Sequence, residues 1–228
     1  MEKVVSLLWP MATDAEDDFA RRLRGTTAQQ LLEVGVEQLK ICVTDAEVVR
    51  GAALHIGPSH PVAMVSWWTD ASWQTQFTDS ILDASSGRRA SYLVCESVPL
   101  RYSGPTGASV RCEGFTTLSC IRPSPGMSME MFRTRWFGGH CEVALRTQST
   151  HSYVRNEVVR ALSPESAPWA GIVEEMFPLG ALDDPAVFFD AVGDPDRLSQ
   201  HQSEMFQSVN SFIDLGTVES HPMSEYRY

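Results

Sequence analysis

His140 is the side chain of this sequence best suited to moving a proton near neutrality, since a free imidazole titrates at about pH 6.5. Phe132, Trp136, His140 and Val143 follow one another at intervals of 4, 4 and 3 residues, which makes one stripe along a helix. Such a stripe faces a sheet, so His140 is expected in the layer between helix and strands. The alternative is a core histidine satisfied by a backbone carbonyl. Gly138 and Gly139 each cost a helix about 1 kcal/mol; they either open room beside the imidazole, permit close packing or mark a helix irregularity. The second candidate is Glu174. It shares a strand face with Ile172 and Met176, while Glu175 alternates to the other face. A carboxylate on a central strand is costly to bury unless paired or protonated, so Glu174 is a candidate to orient His140 or to act as a second acid. Its alternative is an exposed edge charge.

Arg122, at the end of a strand, is either an anchor for a substrate oxygen or carboxylate, or half of a surface salt bridge. Tyr153, Asn156 and Trp169 offer polar or stacking contacts, or else serve the core. Trp67, Trp68 and Trp73 read as an aromatic cluster whose main role is packing, with aromatic stacking as the lesser reading. Dinucleotide, phosphate-loop, zinc-protease and serine-hydrolase motifs are missing from the sequence. His55 and His60 flank Gly57-Pro58-Ser59 in a loop, and His151, His201 and His221 lack ligand spacing, so no metal site is expected. Cys42, Cys95, Cys112, Cys120 and Cys141 are an odd number without paired spacing and read as free thiols.

The elements that must position these residues occur twice. Ser6/Ser119, Pro10/Pro123, Phe19/Phe132, Arg22/Arg135, Gly25/Gly138 and Leu32/Leu145 are identical pairs, each 113 residues apart. Each half opens with an apolar strand ending at proline. A helix follows, begun in the first half by the capping box Thr13-x-x-Glu16 and in the second by Ser128 with Glu130. Strands are expected at 39–49, 62–68 and 92–98, and again at 153–159, 170–177 and 212–218. Second helices are expected at 70–84, and at 184–192 with 198–209. The turn-rich stretch 103–109 reads as a linker between halves 1–103 and 114–228. The order β-α-β-β-α-β predicts an α+β fold of two fused ferredoxin-like halves, whose uncovered apolar sheet faces bury each other.

Eighteen Lys and Arg against 29 Asp and Glu give a net charge of −11, which argues against nucleic acid and against an anionic membrane surface. The apolar stretch after Met1-Glu2-Lys3 is too short for a signal peptide, and no run reaches the length of a membrane span, so a cytoplasmic protein is expected.

The residues Phe132-x3-Trp136-x3-His140, Tyr153-x2-Asn156-x-Val158, Gly171-Ile172-Val173-Glu174 and Phe206 resemble an EthD-type domain of the dimeric α+β barrel superfamily over about 114–220. The resemblance implies an intramolecular barrel made from one duplicated chain, with its pocket in the helix–strand layer. It also implies acid–base work on a hydrophobic carbonyl or aromatic compound in catabolism or specialised metabolism, without a tightly bound cofactor. One departure is Ala170, where the resemblance leads one to expect an acidic residue. At the matched positions of the first half, Leu23 stands for Trp136, Thr27 for His140 and Ser66 for Glu174, so one active site per chain is expected. The expectation is a lyase, isomerase or cyclase in which His140 and Glu174 are catalytic and Trp136, Arg122, Tyr153, Asn156, Phe132 and Trp169 bind substrate. The alternatives are a non-catalytic carrier of a hydrophobic metabolite and a haem protein with His140 as axial ligand. A homodimer is a further possibility.

Overall fold

Val4 and Leu8 of the first strand point to one side and Val5 and Leu7 to the other, and all four are buried, so this strand is sandwiched between two apolar layers. The computed structural model describes residues 1–57, 63–107 and 110–228, and the backbone alone of Glu16. His60, the expected strand start at Val62 and the linker residues Ala108 and Ser109 lie outside them. The first half runs β1 (Glu2–Trp9), α1 (Glu16–Arg22), a π-helical turn (Leu23–Thr27), α2 (Ala28–Glu33), β2 (Glu37–Val43), β3 (Ala63–Thr69), α3 (Gln76–Ser85) and β4 (Arg88–Leu100). After β5 (Val110–Arg111) the second half repeats the order. It has β6 (Phe115–Ile121), α4 (Met129–Arg133), a π-helical segment (Thr134–His140), α5 (Cys141–Thr147), β7 (Ser152–Ala161), β8 (Gly171–Phe177), α6 (Pro185–Phe188), α7 (Pro195–Asn210) and β9 (Glu219–Arg227).

The strands lie in the order β2-β3-β1-β4-β7-β8-β6-β9, and β9 pairs back onto β2. Every pairing is antiparallel, so the sheet closes into an eight-stranded barrel with helices outside it. The fold is therefore mixed α+β, as expected. Leu23, Phe19 and Trp67 fill the helix layer of the first half. Phe132, Trp136, Tyr153 and Phe212 fill that of the second. Val5, Leu7, Tyr92, Leu118, Ile172 and Met223 fill one end of the barrel lumen.

Several expectations need correction. The last strand is Glu219–Arg227 and not 212–218. Residues Asp214 to Thr217 form a turn in which the Asp214 side chain accepts from the Gly216 amide, and polar Ser220, His221, Ser224 and Glu225 are buried along the true strand. The first helix begins at Glu16 behind Ala15 without a side-chain cap, so Thr13 makes no capping box; Asp14 instead accepts from the Met11 amide and pairs with Arg22. Ser128 does cap α4, accepting from the Met131 amide. The three tryptophans do not cluster: Trp67 is in the helix layer, Trp68 lines the barrel mouth and Trp73 is 74% exposed. The lumen is not wholly apolar either, because Lys3, Asn156 and Glu174 are buried in it. All five cysteines are free.

Two seams, β4–β7 and β2–β9, join the halves. Residues 114–228 expressed alone would expose both the lumen face and two strand edges. Light scattering should find that fragment associated or aggregated; a well-folded monomer would show that the second half does not need the first.

Candidate active site

Phe132, Trp136, His140 and Ala144 are all buried, an interval of four residues kept over three steps. In a regular α-helix such a stripe would drift about 40° per step. The π-helical segment Thr134–His140 takes up the drift by widening the turn, which keeps Trp136 and His140 on the sheet side. The first half has the same device at Leu23–Thr27, where Phe19, Leu23, Thr27 and Leu31 are buried at the same interval. Gly138 and Gly139 have open space where a Cβ would stand, so close packing does not explain them; they sit in the irregular turn. Replacing either with Ala should stabilise the protein by up to about 1 kcal/mol, read from denaturant midpoints.

His140 Nδ1 lies 2.9 Å from Ser208 Oγ on α7, and its ring packs on Phe212 at 5.0 Å. The matched Thr27 likewise bonds Ser85 on α3, at 2.9 Å. Each first helix is thus pinned to the second helix of its own half by one polar pair. In the second half this leaves imidazole Nε2 as the atom able to exchange a proton with a ligand.

Beside His140, between these helices and the β6–β8–β7 face, is a cavity of about 260 Å³. Its walls are mainly apolar: Ile121, Val173, Phe177, Phe188, Met205 and Phe212. Into it face Thr117, Trp136, Gln148, Tyr153 and Glu175, and each of the five carries a buried polar atom that makes no well-formed hydrogen bond, the Trp136 indole lying beside the Tyr153 hydroxyl. These are Thr117 Oγ1, Trp136 Nε1, Gln148 Oε1, Tyr153 Oη and Glu175 Oε1. Orphaned buried polar groups are rare and costly; five around one apolar cavity make an arrangement that a ligand with donors and acceptors would complete.

The electrostatics separate the two adjacent glutamates. Glu175 is pushed up to about 7 by burial. His140 is pushed down to about 4 by burial and by Arg155, so its ring is neutral at pH 7. Burial also raises Tyr153. Glu174 lies on the other face of β8, in the lumen, with its carboxylate held between Lys3 at 3.2 Å and Lys40 at 2.5 Å. Asn156 donates to it at 2.8 Å. Burial opposes its charge, but the two ammonium groups and these hydrogen bonds hold the carboxyl far below its ordinary range.

The expected site is therefore only partly assembled. His140, Trp136 and Tyr153 line the cavity. Phe132 backs it through ring contacts with Trp136 and Phe212. Glu174 and Asn156 are on the lumen side of the sheet and do not meet His140. Arg122 stacks on Trp169, 4.5 Å from the ring centre, and neither residue lines the cavity. The carboxylate that shares the cavity with His140 is Glu175. Strand alternation alone showed that it and Glu174 face opposite ways, and the missing information was which face carries the helices. In the first half the position of Glu175 is taken by Trp67, because Val4 opposes Trp67 as Thr117 opposes Glu175. An indole there fills the layer that the second half leaves open.

Among the described residues, no group of three or more His, Cys, Asp or Glu could hold a metal ion. A porphyrin needs more room than about 260 Å³, so haem at His140 would require the layer to open. No helix of the described residues is long and apolar enough to cross a membrane.

No curated protein matches the sequence. Over its full length the chain is similar in fold to the crystal structure of an anthrone oxidase-like protein, with a TM-score of 0.56 at 11% identity, covering 99% of this chain and 92% of that one. A proposed monooxygenase from Lactobacillus acidophilus NCFM aligns at a TM-score of 0.47 and 10% identity, over 99% and 93% of the two chains. The fold is that of the dimeric α+β barrels. Residues 124–214, which span α4 to α7 and carry most of the cavity wall, match the family model of the EthD domain.

Proposed function

We propose that the protein is an enzyme that removes a proton next to the carbonyl of a small aromatic or hydrophobic ketone. The observation carrying this reading is the apolar cavity holding Glu175 and His140 beside unpartnered donors. A base works best when its pKa lies near the working pH, and Glu175 at about 7 meets that condition better than His140 at about 4. In the proposed step the Glu175 carboxylate takes the proton, the C–H electron pair becomes a C=C bond, and the carbonyl oxygen takes the negative charge. Trp136 N–H and Tyr153 O–H are the donors placed to stabilise that oxygen. Neutral His140, fixed by Ser208, orients the substrate, and the Glu175 carboxyl that took the proton returns it at a second atom. Return at another carbon is isomerisation, and loss of a neighbouring group is elimination, the lyase or isomerase outcomes. The repeated β-α-β-β-α-β order and the paired π-helical turns support reading the scaffold as two fused ferredoxin-like halves, with only the second keeping the site.

A second reading gives the same enolate to dioxygen, and is favoured by likeness in fold to a protein named anthrone oxidase-like. Deuterium exchange separates these readings from a carrier. Aromatic ketones with an α-hydrogen, incubated with the protein in D₂O, should gain deuterium by NMR. Saturable binding without exchange would favour the carrier, and oxygen uptake would favour the second reading.

His140→Ala should slow exchange by roughly 10²-fold, the usual worth of one positioned hydrogen-bonding group. Thr27→Ala should leave the rate unchanged, since that position faces a layer filled by Trp67. Loss of exchange in the Thr27 variant with an active His140 variant would place the site in the first half.

A further inference from the structure

On the other side of the sheet the lumen divides into two ends. One is the apolar plug of Leu7, Leu118 and their neighbours; the other is a charged layer opening to a cavity of about 460 Å³ at the barrel mouth. Residues from both halves line it, and the segment bearing Arg101, Tyr102, Thr106 and Gly107 crosses its rim. Four cationic side chains face this space, Lys3, Lys40, Arg101 and Arg227. Three carboxylates bond to them: Glu96 to Lys3, Glu174 to both lysines, and Glu225 to Arg227. Counted over these side chains, the charged layer carries one positive charge in excess, within a chain whose net charge is −11. The unmatched charge is that of Arg101, which is exposed at the rim and makes no ion pair among the described residues. Deeper in, the Lys3 side chain is 3% exposed and its ammonium is held by three acceptors. Trp68, Leu39, Val98 and Val154 supply apolar wall beside it.

We propose that this barrel mouth is a second binding site, for a small monocarboxylate with a planar or apolar body. One excess positive charge suits a single negative charge; a phosphate dianion would leave the layer negative. A guanidinium at the rim presents the paired donors that a carboxylate accepts, and the wall beside Trp68 takes the body of the ligand. The site is separated from the His140 cavity by the sheet itself, so it does not rest on the function proposed above.

Titration calorimetry on the full chain with benzoate, phenyl phosphate and benzyl alcohol tests it. Benzoate should bind, and benzyl alcohol should not. Arg101→Ala should weaken benzoate at least tenfold, as expected for loss of a charge-assisted pair. Glu175→Gln, in the other cavity, should leave benzoate affinity unchanged. Equal affinity in the Arg101 variant, loss of binding in the Glu175 variant, tighter binding of phenyl phosphate, or no benzoate binding would each overturn the proposal.

Discussion

Glu175→Gln should reduce α-deuterium exchange by roughly 10²–10⁴-fold, the usual worth of a positioned acid or base, while the protein stays folded. Gln keeps the shape of the side chain and cannot take a proton. In the wild type the rate should rise with pH through about 7, as Glu175 ionises, and the variant should lack that limb. Stability provides an independent readout. A carboxyl whose folded pKa is raised contributes stability fully below its unfolded pKa of about 4.3 and loses it as pH rises through the folded value. For Glu175 the window runs from about 4.3 to about 7. The Gln variant does not ionise, so above pH 7 it should be the more stable protein, by on the order of 4 kcal/mol at most. A variant that exchanges at the wild-type rate would remove Glu175 from the chemistry.

Glu174→Gln, one residue away, should act with the opposite sign. It leaves Lys3 and Lys40 buried with only Glu96 at 2.5 Å and Glu225 at 4.0 Å as counter-charges. Removing one partner of a buried ion pair typically costs about 3–5 kcal/mol, which guanidinium denaturation would read directly. The wild-type Glu174 carboxyl is held low, so its contribution is present above its unfolded pKa and lost as pH falls toward the folded value. Exchange activity should survive in whatever fraction remains folded, because Glu174 faces the lumen. A stable Glu174→Gln protein without activity would instead make Glu174 the catalytic carboxylate, as the sequence reading expected. The two glutamines thus form an internal control on one strand.

What the sequence determined by itself was local and periodic. The apolar stretches ending at Pro10 and Pro123, the Ser128 cap and the stripe through Phe132, Trp136 and His140 are patterns written within a few residues, and the structure contains each of them. The repeat of elements followed from the same signals, as did the EthD resemblance that the family match over 124–214 now supports. The final strand was not legible, because Ser220, His221, Ser224 and Glu225 look like a surface segment until barrel closure buries them. Only the tertiary structure decided which glutamate shares a layer with His140. Strand β8 is apolar on both faces, Ile172 and Met176 toward one and Val173 and Phe177 toward the other, so hydrophobic pattern could not say which face the helices cover. The charged lumen likewise joins β1, β2, β4, β7, β8 and β9, strands far apart in sequence that meet only when the ring closes. Periodicity reports which side chains share a face; closure of the sheet decides what that face meets.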